Sequence, residues 1–234
     1  MPDFTRYALF YLPPAQADWA RFATGWLGWN SLTGQPVRHP ELPDLPVPVD
    51  EITRSPRKYG LHGTIKPPFR LAEGATIDDL EAACVDLCRS LPAIDAGLLR
   101  LTRLGRFLAL CPDQTPKLSH LADRCVRELD RFRAPPTPDE TNNCRRAHLT
   151  SRQEDNLTKW GYPHVMDDFL FHITLTGRLA KPVLAQVETV LETVLRPLLA
   201  EHFRLSDLAL MGEEPSGKFH LIRRFELSGS NPDG

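Results

Sequence analysis

Leu61-His62-Gly63-Thr64-Ile65-Lys66 and Phe171-His172-Ile173-Thr174-Leu175-Thr176 follow one pattern: an apolar residue, a histidine, a spacer, a threonine and an aliphatic residue. Alternate side chains of a strand share a face. His62, Thr64 and Lys66 are therefore expected on one side of the first segment, and His172, Thr174 and Thr176 on one side of the second. The apolar residues between them would pack on helices. A His-x-Thr triplet alone carries little information, and the chain holds a third one, His148-Leu149-Thr150. That copy lies between Arg145-Arg146 and Ser151-Arg152 and lacks the apolar framing. The signal is the framed pair.

The flanking sequence repeats as well. Residues 7–12 (Tyr-Ala-Leu-Phe-Tyr-Leu) form an apolar run stopped by Pro13-Pro14, as a buried strand would be, and residues 15–27 place Trp19, Phe22, Ala23, Trp26 and Leu27 at helical spacing. Residues 30–56 carry five prolines between 36 and 48 and predict an irregular loop. The strand at 61–66 is expected to stop at Pro67-Pro68, a helix to begin after Thr76, and strands at 98–104 and 107–111 to form a hairpin about Gly105-Arg106. A helix at 116–132, a polar connection at 134–168, a strand at 171–176, a helix at 182–200 and strands at 203–211 and 218–227 repeat the order. Corresponding strands lie about 100–110 residues apart. The expectation is a single bilobed α+β domain spanning 1–234, with repeat units at 4–104 and 105–227. Its two sheet-plus-helix lobes would flank a central cleft.

Composition narrows the function. Thirty acidic residues face 28 basic ones, a net charge of −2. A protein that coats nucleic acid usually needs a basic surplus, whereas one anion-binding cleft does not. No apolar run approaches the roughly 18–20 residues of a membrane span. The N-terminus lacks a basic head followed by an apolar stretch, so a cytoplasmic location is expected. The five cysteines are odd in number and form no Cys-x-x-Cys pair. Four fall in apolar segments, where a reduced thiol is a small core residue, so neither a disulfide framework nor a zinc site is expected.

With these observations in place, the chain resembles the two-histidine phosphoesterase superfamily, which includes the RNA-ligase-like 2′,3′-cyclic phosphodiesterases. Tyr59 to Arg70, Trp160 to Pro163 and Phe169 to Gly177 are similar to a bacterial branch of it, labelled phosphonate metabolism proteins and often encoded with phosphonate-utilisation genes. The resemblance implies catalytic histidines at His62 and His172, phosphate-binding hydroxyls at Thr64 and Thr174, and no cofactor.

The chemistry agrees with that implication. Opening a cyclic phosphodiester needs one neutral imidazole to take a proton from water and one protonated imidazole to give a proton to the leaving oxygen. Histidine, with an unperturbed pKa of about 6.5, serves both roles near neutrality. Threonine hydroxyls can hold the non-bridging oxygens. Symmetry leaves open which histidine is the base. Lys66, on the face of His62, is read as a phosphate clamp or as a strand-end lysine. Tyr59, following Arg54, Arg57 and Lys58, stands at the approach to the first motif. Arg145, Arg146, Lys159 and Tyr162 hold the matching place before the second, where arginine suits bidentate phosphate recognition. Trp160 and Tyr162 could stack on a base or ribose, with fixing of the loop as the plainer role. The expected partner is a small phosphorylated or cyclic-phosphate substrate bound by a monomer, with RNA 2′,3′-cyclic ends or a non-catalytic phosphate-binding module as the rival readings.

Overall fold

The computed structural model describes residues 3–146 and 148–230. Its first half runs β1 (Arg6–Tyr11), α1 (Asp18–Leu27), the short pair β2 (Trp29–Asn30) and β3 (Gln35–Pro36), the turns α2 (Val49–Ile52) and α3 (Arg54–Arg57), β4 (Gly63–Phe69) and α4 (Ile77–Ser90). Then come β5 (Ile94–Leu98), the hairpin β6 (Arg100–Leu104) and β7 (Phe107–Cys111), α5 (Pro116–Glu128), α6 (Pro138–Arg145) and α7 (Ser151–Trp160). The chain closes with β8 (Ile173–Thr174), α8 (Lys181–Leu195), β9 (His202–Leu205), β10 (Asp207–Glu213) and β11 (Phe219–Glu226).

Seven strands form one sheet in the order β11-β10-β1-β4-β8-β7-β6, while β5 pairs with β9 and β2 with β3. The two halves of the large sheet meet at β4 and β8. Those halves do not coincide with the repeats at 4–104 and 105–227. β1 and β4 are completed by β10 and β11 from the C-terminus, and β8 is completed by β6 and β7. Element order along a chain specifies element type; pairing is decided where long connections let strands return.

One face of the sheet carries the main core, in which Leu9, Ile65, Leu110 and Ile173 pack with Trp26 and Leu27 of α1, Cys84 and Leu87 of α4, Leu118, Leu121 and Cys125 of α5, and Leu184, Val187 and Leu191 of α8. Burying these aliphatic and aromatic side chains contributes about 1.5–3 kcal/mol each. The cysteines are free, and Cys84, Cys88 and Cys125 are buried in this core. The other face carries a smaller cluster of Ala8, Phe10, Leu12, Ala209, Met211 and Phe219.

Four expectations change. The strand expected at 203–211 is two, β9 paired with β5 and β10 in the large sheet. β4 does not stop at Pro67-Pro68 but runs through them to Phe69, with register shifts against β1; an extended backbone tolerates proline where bulges interrupt the ladder. The connection at 134–168 contains two helices. Each has a capping box, Thr137 with Glu140 and Thr150 with Gln153, which supplies the hydrogen bonds that a polar helix cannot replace by packing. The strand expected at 171–176 keeps a ladder only at Ile173–Thr174.

Candidate active site

Gly63 of β4 lies opposite Ile173 of β8 in an antiparallel pair. Carrying that register one residue either way sets His62 beside Thr174 and Thr64 beside His172. Gly63 and Ile173 share the core face, so strand alternation puts the four polar side chains on the other one, with His62 and His172 just outside the paired residues.

Gly63 permits this approach. A Cβ there would come within 2.4 Å of Phe171 Cζ, so the fully buried Phe171 ring passes beneath β4 and draws β8 against it. Both imidazoles are then fixed in the same way. His62 Nδ1 lies 3.0 Å from the Gly60 carbonyl and His172 Nδ1 lies 2.8 Å from the Leu170 carbonyl. A carbonyl can only accept, so each Nδ1 carries hydrogen and each Nε2 is left for chemistry. Gly60 adopts φ +70, and a Cβ on it would meet Ser31 Oγ at 2.7 Å.

The two histidines differ in their surroundings. His62 is stacked between Phe10, at 4.1 Å between ring centroids, and Tyr59, at 5.4 Å; Tyr59 in turn stacks on Phe219 at 4.9 Å. Burial in this aromatic slot pushes the His62 pKa down to about 4, against the hydrogen bond to Gly60 and with help from the nearby His172. His172 has one aromatic neighbour, Phe107 at 5.8 Å. Gln114 supports its strand: Nε2 donates to the Phe171 carbonyl at 3.2 Å, and Oε1 accepts from the Phe171 amide at 3.3 Å. The side-chain amide thereby acts as a ladder partner where β8 is too short to have one.

Lys66 requires a correction. Phe10 pairs with Thr64 but Leu9 pairs with Lys66, so β4 contains one extra residue at this step. A bulge turns the following side chain to the other face. Lys66 is 2% exposed, its Nζ donates to the Val126 carbonyl at 3.2 Å, and Asp130 Oδ1 lies 4.0 Å away. It belongs to the core and is not on the face of His62. Thr176 is also absent from the polar row: its buried hydroxyl accepts from the Leu108 amide at 2.9 Å and donates to Gly177.

Tyr59 joins the site through His62. Tyr162 comes from the loop after α7, 37% exposed, with its phenol pushed up to about 12 by burial of the hydroxyl and the proximity of Cys144 and Tyr59. Arg145 is paired with Glu154, with Nε 3.1 Å from Oε2. Arg57 is engaged with the Leu27 and Asp50 carbonyls, and Lys58 leans on Tyr59 and lies 4.0 Å from Glu213. Trp160 packs on Val126, Val165 and Met166 and so fixes the loop. His148 sits exposed before α7 at φ 51. Phe10, Phe219 and Gln114 were not legible as site residues: Phe10 and Phe219 read as strand core, and Gln114 stands in a loop without a motif. Among the described residues no three His, Cys, Asp or Glu gather as a metal site would require.

A family model described as "Protein of unknown function (DUF1045)" matches residues 64–220. The chain belongs to this family. Two ribose 1,5-bisphosphate phosphokinases PhnN are similar to this DUF1045 chain. That of Janthinobacterium sp. (strain Marseille) is 37% identical over 179 residues, 76% of this chain and 40% of that protein. That of Laribacter hongkongensis (strain HLHK9) is 31% identical over 175 residues, 74% of this chain and 40% of that protein. The chain thus spans about 40% of the length of these relatives. Its own G-x-x-x-x-G-K spacing, Gly212 to Lys218, covers the end of β10 and the turn into β11, which starts at Phe219, whereas a phosphate-cradling loop leads into a helix. Among solved structures, E. coli LigT complexed with ATP is 14% identical with a TM-score of 0.45, covering 97% of this chain and 99% of that one. A Thermus thermophilus protein, TT0787, is 16% identical with a TM-score of 0.46, covering 97% and 100%. No helix among the described residues is long and apolar enough to cross a membrane.

Proposed function

We propose that this chain is a two-histidine phosphodiesterase that opens a five-membered cyclic phosphate on a small metabolite, with His62 as general base and His172 as general acid. The observation that carries the reading is the matched pair of Nδ1–H anchors to Gly60 and Leu170, which leaves both Nε2 atoms free beside Thr64 and Thr174. His62, neutral at physiological pH because of its burial, takes a proton from water as the water oxygen bonds to phosphorus. The phosphorus–oxygen bond on the far side breaks, and His172 Nε2–H protonates the departing oxygen. Thr64 and Thr174 donate to the non-bridging oxygens, whose charge is held through the transition state. Each step is supplied by this chain's own side chains.

The names of the PhnN relatives support a ribosyl substrate. Hydrolysis of a 1,2-cyclic phosphate of 5-phosphoribose at the O2 side gives ribose 1,5-bisphosphate, the compound named for those kinases. That agreement favours a role in phosphonate metabolism. The test is ³¹P NMR of the purified chain with ribosyl 1,2-cyclic phosphate and 2′,3′-cyclic AMP, with and without EDTA. Turnover in EDTA is expected, with losses of about 10²–10⁴-fold in His62→Asn and in His172→Asn. No turnover by the wild type, or full turnover in either variant, overturns it.

A further inference from the structure

The loop from Gly161 to Leu170 is pinned by buried hydrogen bonds and contains one residue in a left-handed conformation. Asn156, 8% exposed on α7, donates to the Pro163 carbonyl at 3.3 Å and the Val165 carbonyl at 3.0 Å, the two carbonyls that flank His164. Val165 and Met166 are buried against Val126, and Met166 adopts φ 53, a left-handed conformation that a non-glycine residue takes at a cost of about 1–3 kcal/mol. Asp168 is gripped by Arg152 at 2.7 and 3.0 Å and reached by Asn156 at 3.3 Å. The outward side of this anchored loop presents Tyr162, His164 and Leu170. Tyr162 and Leu170, at 37% and 43%, are the large hydrophobic residues exposed among the described residues. The Tyr162 and His164 rings meet edge to face at 5.8 Å. The Leu170 carbonyl is the one that fixes His172.

A strained, hydrogen-bonded loop that holds an imidazole and an aliphatic side chain in solvent next to the His172 segment is placed to contact a ligand. We propose that His164 and Leu170 form a specificity subsite for the sugar ring of the substrate, His164 bonding a ring hydroxyl and Leu170 covering a C–H face. The inference rests on the reading of the His62–His172 pair as a cyclic phosphodiesterase. It also follows from that chemistry: when the cyclic phosphate opens, the departing oxygen stays on the sugar, so the sugar must lie on the side of the acid. His172 is the acid, and the loop leads directly into it. His164 and His172 are close enough to feel each other's charge, which with burial lowers the His164 pKa against the pull of Asp168.

The experiment compares ribosyl 1,2-cyclic phosphate with ethylene cyclic phosphate, which has the same five-membered ring without a sugar. In His164→Ala the ratio of kcat/KM between the two substrates should fall about tenfold, the worth of one hydrogen bond, mostly through KM on the sugar substrate. Leu170→Ser should shift the ratio in the same direction. An equal fall on both substrates makes His164 part of the reacting centre or the fold and overturns the subsite; no change on either does the same. If the wild type turns over neither substrate, the enzymatic reading has failed and binding decides separately. Ribose 5-phosphate titrated into the wild type should then shift the His164 ring signals in ¹H–¹⁵N spectra and bind His164→Ala more weakly. Failure to bind the wild type, or equal binding by both, overturns the subsite.

Discussion

Replacing Lys66 by methionine separates the two roles that the sequence allowed it. Its ammonium is buried in the main core, held by the Val126 carbonyl and about an ion-pair distance from Asp130. Val126 lies in the last turn of α5, so that carbonyl has no partner within the helix, and a cation there also suits the helix dipole. Burial nevertheless dominates: it lowers the Lys66 pKa from 10.5 to about 8, with Asp130 pulling the other way. That difference corresponds to about 3 kcal/mol by which the folded state disfavours the charged form. Between pH 8 and 10.5 the unfolded chain still holds the proton and the folded chain has released it, so unfolding takes up a proton and stability rises with pH. Below pH 8 both states are charged and the full cost is present.

Lys66→Met removes that cost, about 3 kcal/mol, but leaves the Val126 carbonyl unsatisfied, about 1–3 kcal/mol. The net change at pH 7 should therefore be small, between about zero and 2 kcal/mol in favour of the variant. The pH dependence is the clean quantity. Urea unfolding at intervals from pH 7 to 10.5 should show the wild type gaining about 3 kcal/mol relative to the variant across the alkaline window. Titrations of all other groups cancel in the difference. Hydrolysis by Lys66→Met should persist, because the side chain lies on the face opposite His62. A flat stability difference would refute the burial argument, and loss of turnover with unchanged stability would restore the clamp.

Gly63→Ala would bring a Cβ to 2.4 Å from Phe171 Cζ, so it should destabilise by about 1–3 kcal/mol and reduce kcat further by spreading β4 from β8; thermal melts and kinetics check both. The acidic limb of kcat/KM should fall well below pH 6.5, because activity is lost as the pH drops through the His62 value of about 4. The same depressed pKa should destabilise the fold as pH falls from 6.5 to 4, where the unfolded chain takes the proton first. Partial exposure of His62 makes about 3 kcal/mol the upper bound.

Much of this site was legible because strand periodicity is local. The alternation that put His62 with Thr64 and His172 with Thr174 needed no knowledge of partners. Lys66 broke the rule for a reason that strand periodicity cannot contain: a bulge is a relation between two strands, set by how β4 meets β1. The polar helices α6 and α7 were hidden for the opposite reason. They bury few side chains, so no apolar stripe marks them, although Thr137 with Glu140 and Thr150 with Gln153 do. The interleaving of the sheet halves depends on which strands the long connections let return, and element order says nothing about that.

The two motifs are alike in sequence yet unlike in the fold, and that difference underlies the roles proposed for them. His62 lies in an aromatic slot between Phe10 and Tyr59 that favours the neutral ring; His172 has Phe107 as its one aromatic neighbour and the Leu170 carbonyl at its Nδ1. A base must be neutral before reaction and an acid charged, so the slot suits the base. A leaving group that needs no proton tests this. An aryl phosphodiester with a 4-nitrophenyl leaving group departs as a stable anion, so His172→Ala should recover most of its lost rate on that substrate relative to the cyclic phosphate. His62→Ala should recover none, since water must still be deprotonated. The reverse pattern would exchange the roles and move the sugar to the Tyr59 side, away from His164. Equal recovery in both variants would mean that neither histidine is committed to one proton transfer.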